Sequence, residues 1–444
     1  MECIIKGFST VLGILGKPPK STAPMRLSKF ILTQPTEEGV LLFSTLTREL
    51  LLLTPEEFEH APELPYLQER WLSVPEGTNE KELVELVRWT RKTLRREPKH
   101  IEKYTILTTT DCNARCFYCY EKGCAKVSMT RETAQKVVAY IKAHCGGNEV
   151  KISWFGGEPL MNSEAIDWIC QGLRKEGVAF KSQMVTNAYL FTDGIAEKSV
   201  NSWNVKNVQV TLDGTEAVYN RSKAYIHTQG SAYQVVLVNI RRMLDAGIAV
   251  AIRLNMDLHN ADDLFTLAEE LAEQFAGQKG LHVYAHLLFD TNKPWHVHHT
   301  SQEWEMLYDK LYKLEETLSA RGMMSRKRKG LNREPMLNHC MADSGNSAVI
   351  LPDGHLGLCE HFTDSEFFGH VDREDRDQAM IASWRESCDP VPECEDCVFV
   401  PECVTLKKCN GQIAYFPQSL QARRRETERA MLFEYRLWRK TQKG

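Results

Sequence analysis

A chain of 444 residues has room for two or three domains rather than one. With 43% hydrophobic and 26% charged residues its composition is that of an ordinary globular protein, which excludes a disordered or fibrous chain. Its 55 basic and 59 acidic residues leave a net charge of -4 with no long single-sign block, so general binding to nucleic acid or other polyanions is not expected.

Residues 1–16 are mildly apolar, but they are too few and too interrupted by Gly and Ser for a membrane span, which takes roughly 20 apolar residues. They carry no leading basic cluster and no clear cleavage site, so they do not read as a signal peptide. The expectation is a poorly ordered extension, with Met25 an alternative start, in a cytoplasmic protein with no membrane partner. Strand-like runs come next at 27–33, 40–44 and 50–54, with Gly39 at the turn between the first two. Asn79 and Glu82 then resemble a capping box, opening a helix with Leu83, Leu86, Val87, Thr90 and Leu94 on one stripe. Strands and then a helix make a small α+β unit over residues 1–98, separate from the rest of the chain.

The next region alternates. Buried strands are expected at 104–109, 151–155, 180–186, 207–212, 248–255 and 281–288, with helices at 130–144, 164–176, 232–246 and 262–275. Repeated β-then-α units imply a parallel sheet with right-handed crossovers. Six units would make an α/β fold of the partial (β/α)6, TIM-like kind, with function in the loops after the strands. The alternation alone leaves a flatter doubly wound sheet open. This unit is placed at residues 99–325. A helix at 302–318 leads to the basic run Arg326-Lys327-Arg328-Lys329-Gly330, which reads as a solvated linker. The last unit, residues 326–444, is cysteine-rich and ends in a charged helix at 420–440. His296, His298 and His299 read as a polar loop near a substrate mouth rather than a metal site.

Fourteen cysteines are many for a cytosolic chain of this size, and ten fall into two groups, near residue 115 and between 340 and 409. Clustered thiols in a reducing compartment point to metal rather than disulfides. In Asp111-Cys112-Asn113-Ala114-Arg115-Cys116-Phe117-Tyr118-Cys119, directly after the first barrel strand, three thiolates on one loop suit three irons of a [4Fe–4S] cubane. The fourth iron is left open for a chelating cofactor. Structural zinc is the alternative, but such sites show paired C-x2-C elements and four ligands. Cys124 is the only spare nearby; Cys3, Cys145 and Cys170 read as plain thiols. After the second strand, Trp154-Phe155-Gly156-Gly157-Glu158-Pro159 offers two glycines that permit close backbone approach to a ligand and a carboxylate that accepts from an ammonium.

Cys112, Cys116 and Cys119 with Tyr118, and then Gly156-Gly157-Glu158-Pro159, resemble the radical S-adenosylmethionine superfamily over roughly residues 100–290. The resemblance implies a partial barrel and a catalytic [4Fe–4S] cluster whose open iron takes the amine and carboxylate of S-adenosylmethionine, with Glu158 meeting the amine. Reductive cleavage then yields methionine and a 5′-deoxyadenosyl radical that abstracts a substrate hydrogen. Reduction implies a partner such as flavodoxin or ferredoxin. By the same resemblance Thr186, Asn187 and Asn255 face the ribose or adenine and Arg221 meets the methionine carboxylate. No catalytic acid or base is named by the motifs; Asp213, at the end of a strand, is a candidate.

Cys340-x13-Gly354-x4-Cys359, then Cys394-x2-Cys397-x5-Cys403, is similar to the SPASM extension of that superfamily, which binds auxiliary [4Fe–4S] clusters. The likeness is incomplete. Cys409 stands six residues after Cys403 where the pattern has four, no cysteine comes after it, and Cys388 is extra. Seven thiols are one short of the eight that two cubanes need, so one or two auxiliary clusters are expected. The preferred partition gives Cys340 and Cys359 to one and Cys394, Cys397 and Cys403 to the other, with Cys388 and Cys409 unassigned. Zinc at Cys394, Cys397, Cys403 and Cys409 is the alternative.

SPASM-type enzymes mostly modify peptides, and the first 98 residues resemble the winged-helix modules that hold leader peptides as an added strand. Residues 26–30 and the strand at 50–54 are the candidate edges. The expected function is a peptide maturase that installs a thioether, C–C or C–O crosslink in a ribosomally made precursor. The alternatives are an anaerobic sulfatase-maturing enzyme that makes formylglycine, a peptide epimerase, and, in another class, a zinc-stapled binding module.

Overall fold

The computed structural model describes residues 1–94, 98–288, 299–324, 331, 341–361, 365–386, 392–403 and 417–442. Its central element is one sheet. The strands β7 (Lys103–Leu107), β8 (Val150–Phe155), β9 (Phe180–Thr186), β10 (Val205–Leu212), β11 (Ala249–Met256) and β12 (Leu281–Leu287) lie side by side in chain order, each parallel to the next. Between them run α5 (Arg131–His144), α6 (Ser163–Lys175), α7 (Asp193–Asn201), α8 (Glu216–Lys223), α9 (Ala232–Asp245) and α10 (Asp263–Phe275). The helices start where the sequence offers a cap: Thr130, Thr192 and Ser231 accept from backbone N–H groups of α5, α7 and α9.

Alternation along the strands separates two faces. Ile152, Trp154, Val208, Val210, Val250, Ile252, Leu254 and Val283 are buried in one core with the inner stripes of α5, α6, α9 and α10. On the other face Lys103 of β7 and His286 of β12 line the same cavity, although they stand at opposite ends of the six-strand row. A flat sheet would hold those strands about 24 Å apart, at about 4.8 Å per strand. The sheet is therefore curved into a partial barrel, which settles the choice the alternation left open.

Three further strands extend the sheet beyond β7. β13 (Ser347–Ile350) pairs with it in parallel, and β14 (His355–Gly357) and β15 (Phe367–His370) continue it antiparallel. The cysteine-rich unit thus begins as part of the barrel sheet. After α11 (Ser301–Ala320), which opens with a capping box at Thr300 and Glu303, come α12 (Met341–Ser344), α13 (Gln378–Ser383) and the long α14 (Pro417–Gln442). The basic run at 326–330 lies outside the described residues, as do His296 and His298. His299 packs edge-on against Trp304, with ring centroids 4.8 Å apart.

The N-terminal region departs from expectation in four ways. Residues 1–16 are not a loose extension: β1 (Glu2–Ile5) pairs with β5 (Leu50–Leu53), and α1 (Ser9–Leu15) buries Val11 and Leu15. The run at 27–33 divides between two sheets. β2 (Met25–Leu27) pairs with β6 (Ser73–Pro75), while β3 (Ile31–Pro35) pairs with β4 (Val40–Ser44), giving the order β1-β5-β4-β3. Leu50–Leu53 is therefore an interior strand, not an edge. After α2 (Pro55–Glu59) and α3 (Pro65–Glu69), α4 (Glu80–Leu94) buries Val84 and Val87 against α1, leaving Leu86, Trp89 and Leu94 exposed.

Nor is this unit separate. Ile5, Leu32, Leu41, Phe43, Leu50 and Leu52 share a core with Phe399, Met431 and Leu331. Arg48, buried and in the left-handed backbone region, forms an ion pair with the buried Glu402 at 2.5 Å, and Arg423 of α14 pairs with the same carboxylate at 3.1 Å. Glu402 would keep Arg423 if Arg48 were removed, so the loss is that of one charge-assisted hydrogen bond, about 1.5–3 kcal/mol, rather than of a stranded charge. Arg48→Met is accordingly expected to lower unfolding stability by about that much, read by chemical denaturation, with the C-terminal cysteine segment losing protease protection first.

Candidate functional site

The Cys112–Cys119 loop leaves the C-terminal end of β7 and is fixed on three sides. Asp111 caps Cys112 N–H at 2.8 Å and takes an ion pair from Lys126 at 2.7 Å. Arg115 N–H donates to Lys223 O at 2.8 Å and Ile226 N–H to Asn113 O at 2.9 Å, which sews the loop to the end of α8. Gly157 N–H and Glu158 N–H donate to Thr109 O and Asp111 O at 3.0 and 2.9 Å.

That last contact explains the glycine pair. A Cβ on Gly156, whose φ is +127°, would stand 2.2 Å from Thr109 O, and one on Gly157 would stand 2.3 Å from Asp111 O. The close approach these glycines permit is to the cysteine loop itself. Gly157→Ala is expected to push the loop off by overpacking, at about 1–3 kcal/mol, and to lower iron retained after anaerobic reconstitution while leaving secondary structure by circular dichroism intact.

Glu158 is fully buried. Its carboxylate accepts from Thr186 Oγ1 at 2.7 Å, Asn187 N–H at 2.8 Å and Leu160 N–H at 3.1 Å. Burial pushes its carboxyl pKa up to about 7, against the pull of those three bonds. The group ties the β8 loop to the end of β9, and Oε2, which takes one bond here, has room for a second. Thr186 is spent inside this network. Asn187 reaches the other way, donating to Asn113 Oδ1 at 2.6 Å with Cys112 Sγ 3.9 Å off.

A second buried network joins Tyr118 of the loop to β10 and α8. Tyr118 donates to Asp213 Oδ2 at 2.7 Å, Lys223 Nζ stands 2.9 Å from the same oxygen and 2.6 Å from the tyrosine oxygen, and Asn255 donates to Asp213 Oδ1 at 3.2 Å. Lys223 and Asp213 are 4% and 2% exposed. Burial works against the ammonium, but Asp213, Tyr118 and the Cys116 thiol together hold its pKa above the usual lysine value. Sequence reasoning missed Lys223 and chose Arg221. On α8 the two are two residues, or about 200°, apart; Arg221 is exposed and Lys223 points inward. Asp213 has both oxygens engaged in this network.

The residues present fit the groups the loop chemistry calls for. Burial, the largest cause, raises the thiol pKa of Cys112 to about 12 and of Cys119 to about 11, so each would carry a proton unless a metal replaces it. Ala114 N–H points at Cys112 Sγ from 3.4 Å, the kind of bond that tunes cluster sulfurs. Asn113 Nδ2 and Asn255 Oδ1 are buried with no partner among the described residues, and Asn255 and Tyr118 line a cavity of about 860 Å³. Two unmet polar atoms beside the loop suit a polar cofactor. Among the described residues no three His, Cys, Asp or Glu side chains converge on a point that would hold a single ion; a cubane sets each thiolate on a different iron, so its ligands need not meet.

Of the second cysteine group, Cys340, Cys388 and Cys409 lie outside the described residues. Cys359 stands just after β14. Tyr120 lies near both Cys119 and Cys359, its ring tilted 50° to that of His361 with centroids 4.6 Å apart. Cys394, Cys397 and Cys403 stand on a separate knuckle, where Cys397 N–H donates to Cys394 O at 3.4 Å, against the N-terminal unit.

Residues 106–271 match the family described as the radical SAM superfamily. An uncharacterized protein of Methanocaldococcus jannaschii is 32% identical over 119 residues, 26% of this chain and 40% of that protein. The GTP 3′,8-cyclase of Clostridium perfringens is 26% identical over 172 residues, 38% of this chain and 51% of that one. The chain thus spans about half, or less, of the length of these curated relatives. Among solved structures, anSMEcpe with bound AdoMet aligns over 76% of this chain and 100% of its own at a TM-score of 0.60 and 15% identity. Streptococcus suis SuiB bound to the precursor peptide SuiA aligns over 88% and 95% at 0.52 and 12%. Residues 106–271 thus match the radical SAM superfamily, whose enzymes use a [4Fe–4S] cluster and S-adenosylmethionine, in a fold that resembles those of anSMEcpe and SuiB.

Proposed function

We propose that the protein is a peptide maturase that abstracts hydrogen from a ribosomally made precursor and installs a thioether, C–C or C–O crosslink. The observation that carries this reading is the fold likeness to SuiB with its precursor peptide, which extends over 88% of the chain and so reaches well beyond the 106–271 domain. The division of labour would be residues 1–98 for leader recognition, 99–325 for the chemistry and 326–444 for auxiliary clusters. The interior position of Leu50–Leu53 moves the leader edge to β3, Ile31–Pro35, which among the described residues pairs only with β4.

Cys112, Cys116 and Cys119 would hold the cluster, which together with S-adenosylmethionine would supply the chemistry of hydrogen-atom abstraction. The protein's part is placement. Glu158 holds the β8 and β9 loops together and offers Oε2 toward the cofactor amine. Asn255 Oδ1 and Asn113 Nδ2 are acceptor and donor for the nucleoside. Lys223, fixed by Asp213 and Tyr118, sets a positive charge behind the loop. Cys359 with Cys340 would hold one auxiliary cluster near the barrel mouth, and Cys394, Cys397 and Cys403 another; electrons would come from a cytoplasmic flavodoxin or ferredoxin.

The test is anaerobic incubation of the reconstituted enzyme with S-adenosylmethionine, a reductant and a precursor encoded beside it, with mass spectrometry of the product. A product lighter by two hydrogens and linked within the core peptide is expected. An unchanged mass with an inverted residue would make the protein an epimerase, and formylglycine at one Cys or Ser would make it a sulfatase-maturing enzyme.

A further inference from the structure

The barrel lumen is cationic in a way the radical chemistry does not require. Lys103, Lys151 and Lys181 are direct register partners across β7, β8 and β9. All three, with Lys206 at the start of β10 and Arg253 on β11, line the 860 Å³ cavity that also reaches Tyr118 and Asn255. Among the described residues Glu360 is the one acidic group on that lining. Neighbouring parallel strands are about 4.8 Å apart, and like charges directly opposite one another destabilise a sheet.

Most of these charges meet no counter-charge among the described residues. Lys181 pairs with Glu149 at 2.6 Å. Among the described residues Lys103, Lys151 and Lys206 have no ion-pair partner. The outward face of the same strands packs as an apolar core, whereas the next layer inward is Thr105, Ser153, Gln183 and Asn207, polar and partly or fully exposed. The lumen is thus a wet trough with a basic floor, unlike the packed interior of a closed barrel.

We infer that the lysine row Lys103–Lys151–Lys181, with Lys206, is a subsite for an acidic stretch of the substrate peptide. The inference rests on the peptide-substrate reading above and adds a specificity to it. From Lys151 to Phe155, or Lys181 to Thr186, is four or five residues of strand, about 13–17 Å. An extended peptide anchored on the row would therefore present its reacting residue about four or five positions from its acidic residues. A polyphosphate nucleotide is the less favoured occupant. Phosphate sites draw on backbone N–H groups at helix N-termini, but at this end of the barrel α5, α6 and α7 finish, presenting carbonyls and the negative end of the dipole.

The experiment uses the anaerobically reconstituted full chain and a fluorescein-labelled oligoglutamate peptide, read by anisotropy at low and high salt. Binding that weakens with salt is expected, with none for oligoglutamine. Affinity should fall about tenfold or more in Lys103→Gln/Lys151→Gln/Lys181→Gln and stay unchanged in the control Lys175→Gln/Lys279→Gln/Lys313→Gln. The single Lys151→Glu variant should repel the same probe, a check should the triple variant fold poorly. Equal binding by wild type and triple variant would overturn the subsite. So would GTP displacing the probe at lower concentration than free oligoglutamate, which would make the row a nucleotide site. Precursor turnover separates the two claims. A triple variant that loses probe binding yet modifies an acidic precursor at the wild-type KM overturns the subsite and leaves the maturase reading intact. Probe binding lost in the variant, with no precursor modified by either protein, supports the anion site while the maturase reading fails.

Discussion

Lys223→Met is expected to destabilise the chain by about 3–5 kcal/mol, because it leaves Asp213 buried without its cation. The same change removes one of the two bonds that fix Tyr118, leaving the cysteine loop only the Tyr118–Asp213 bond as its tie to β10, and S-adenosylmethionine cleavage should fall. Denaturant unfolding of Lys223→Met/Asp213→Asn separates the two effects. Stability should largely return once the stranded charge is neutralised, whereas cleavage should not, since neither side chain then fixes the tyrosine as before. Arg221→Ala, two residues away on the exposed side of α8, should change stability by no more than about 0.5 kcal/mol. Equal losses from Arg221→Ala and Lys223→Met would show the sequence assignment to be the better one.

Glu158→Ala is the second large loss. It leaves Leu160 N–H, Asn187 N–H and the Thr186 hydroxyl without an acceptor, and each unmet buried donor costs about 1–3 kcal/mol. Asn187 also loses its hold on Asn113, so iron retention should drop with stability. Glu158→Gln is milder, because its amide oxygen still serves Thr186 and Leu160 while its NH2 faces Asn187 N–H. The pH dependence has a definite sign. The folded carboxyl titrates at about 7 because burial outweighs its hydrogen bonds, against about 4.3 in an unfolded chain. The stability contributed by the bound proton is therefore complete below about 4.3 and lost as pH rises through about 7. Unfolding of the cluster-free chain monitored across this window should show that fall in wild type and not in Glu158→Gln.

Strong local periodicity made much of the fold legible. The six barrel strands lie within a residue or two of their expected bounds, since β-branched runs at regular spacing leave little choice, and the apolar stripes of α5, α6, α9 and α10 place those helices. The failures are tertiary. Val84 and Val87 rather than Leu86 and Leu94 face inward on α4 because α1, itself unforeseen, sets which stripe is covered. Leu50–Leu53 is interior only because residues 1–16 return to pair with it. β13 joins β7 from a distance of more than 200 residues, a pairing no local pattern announces.

At the site, the cysteine spacing and the Gly-Gly-Glu run pointed to two loops that the fold sets side by side. They did not show that the glycines face the cysteine loop, or that Glu158 already holds three donors. Lys223 carried a weak signal, a position one turn beyond Tyr219 on the same buried face at the end of α8. The lysine row carried a clearer one: a lysine within a residue of the start of four successive expected strands, which matters only once the sheet is known to curl around them.

The most direct test is to reconstitute the protein without oxygen, add S-adenosylmethionine and dithionite, and measure 5′-deoxyadenosine and iron for wild type and Cys112→Ala/Cys116→Ala/Cys119→Ala. The expected result is 5′-deoxyadenosine from the wild type alone, with about four irons fewer in the variant. Equal 5′-deoxyadenosine from both proteins, or the same iron content, would contradict a catalytic cluster on this loop.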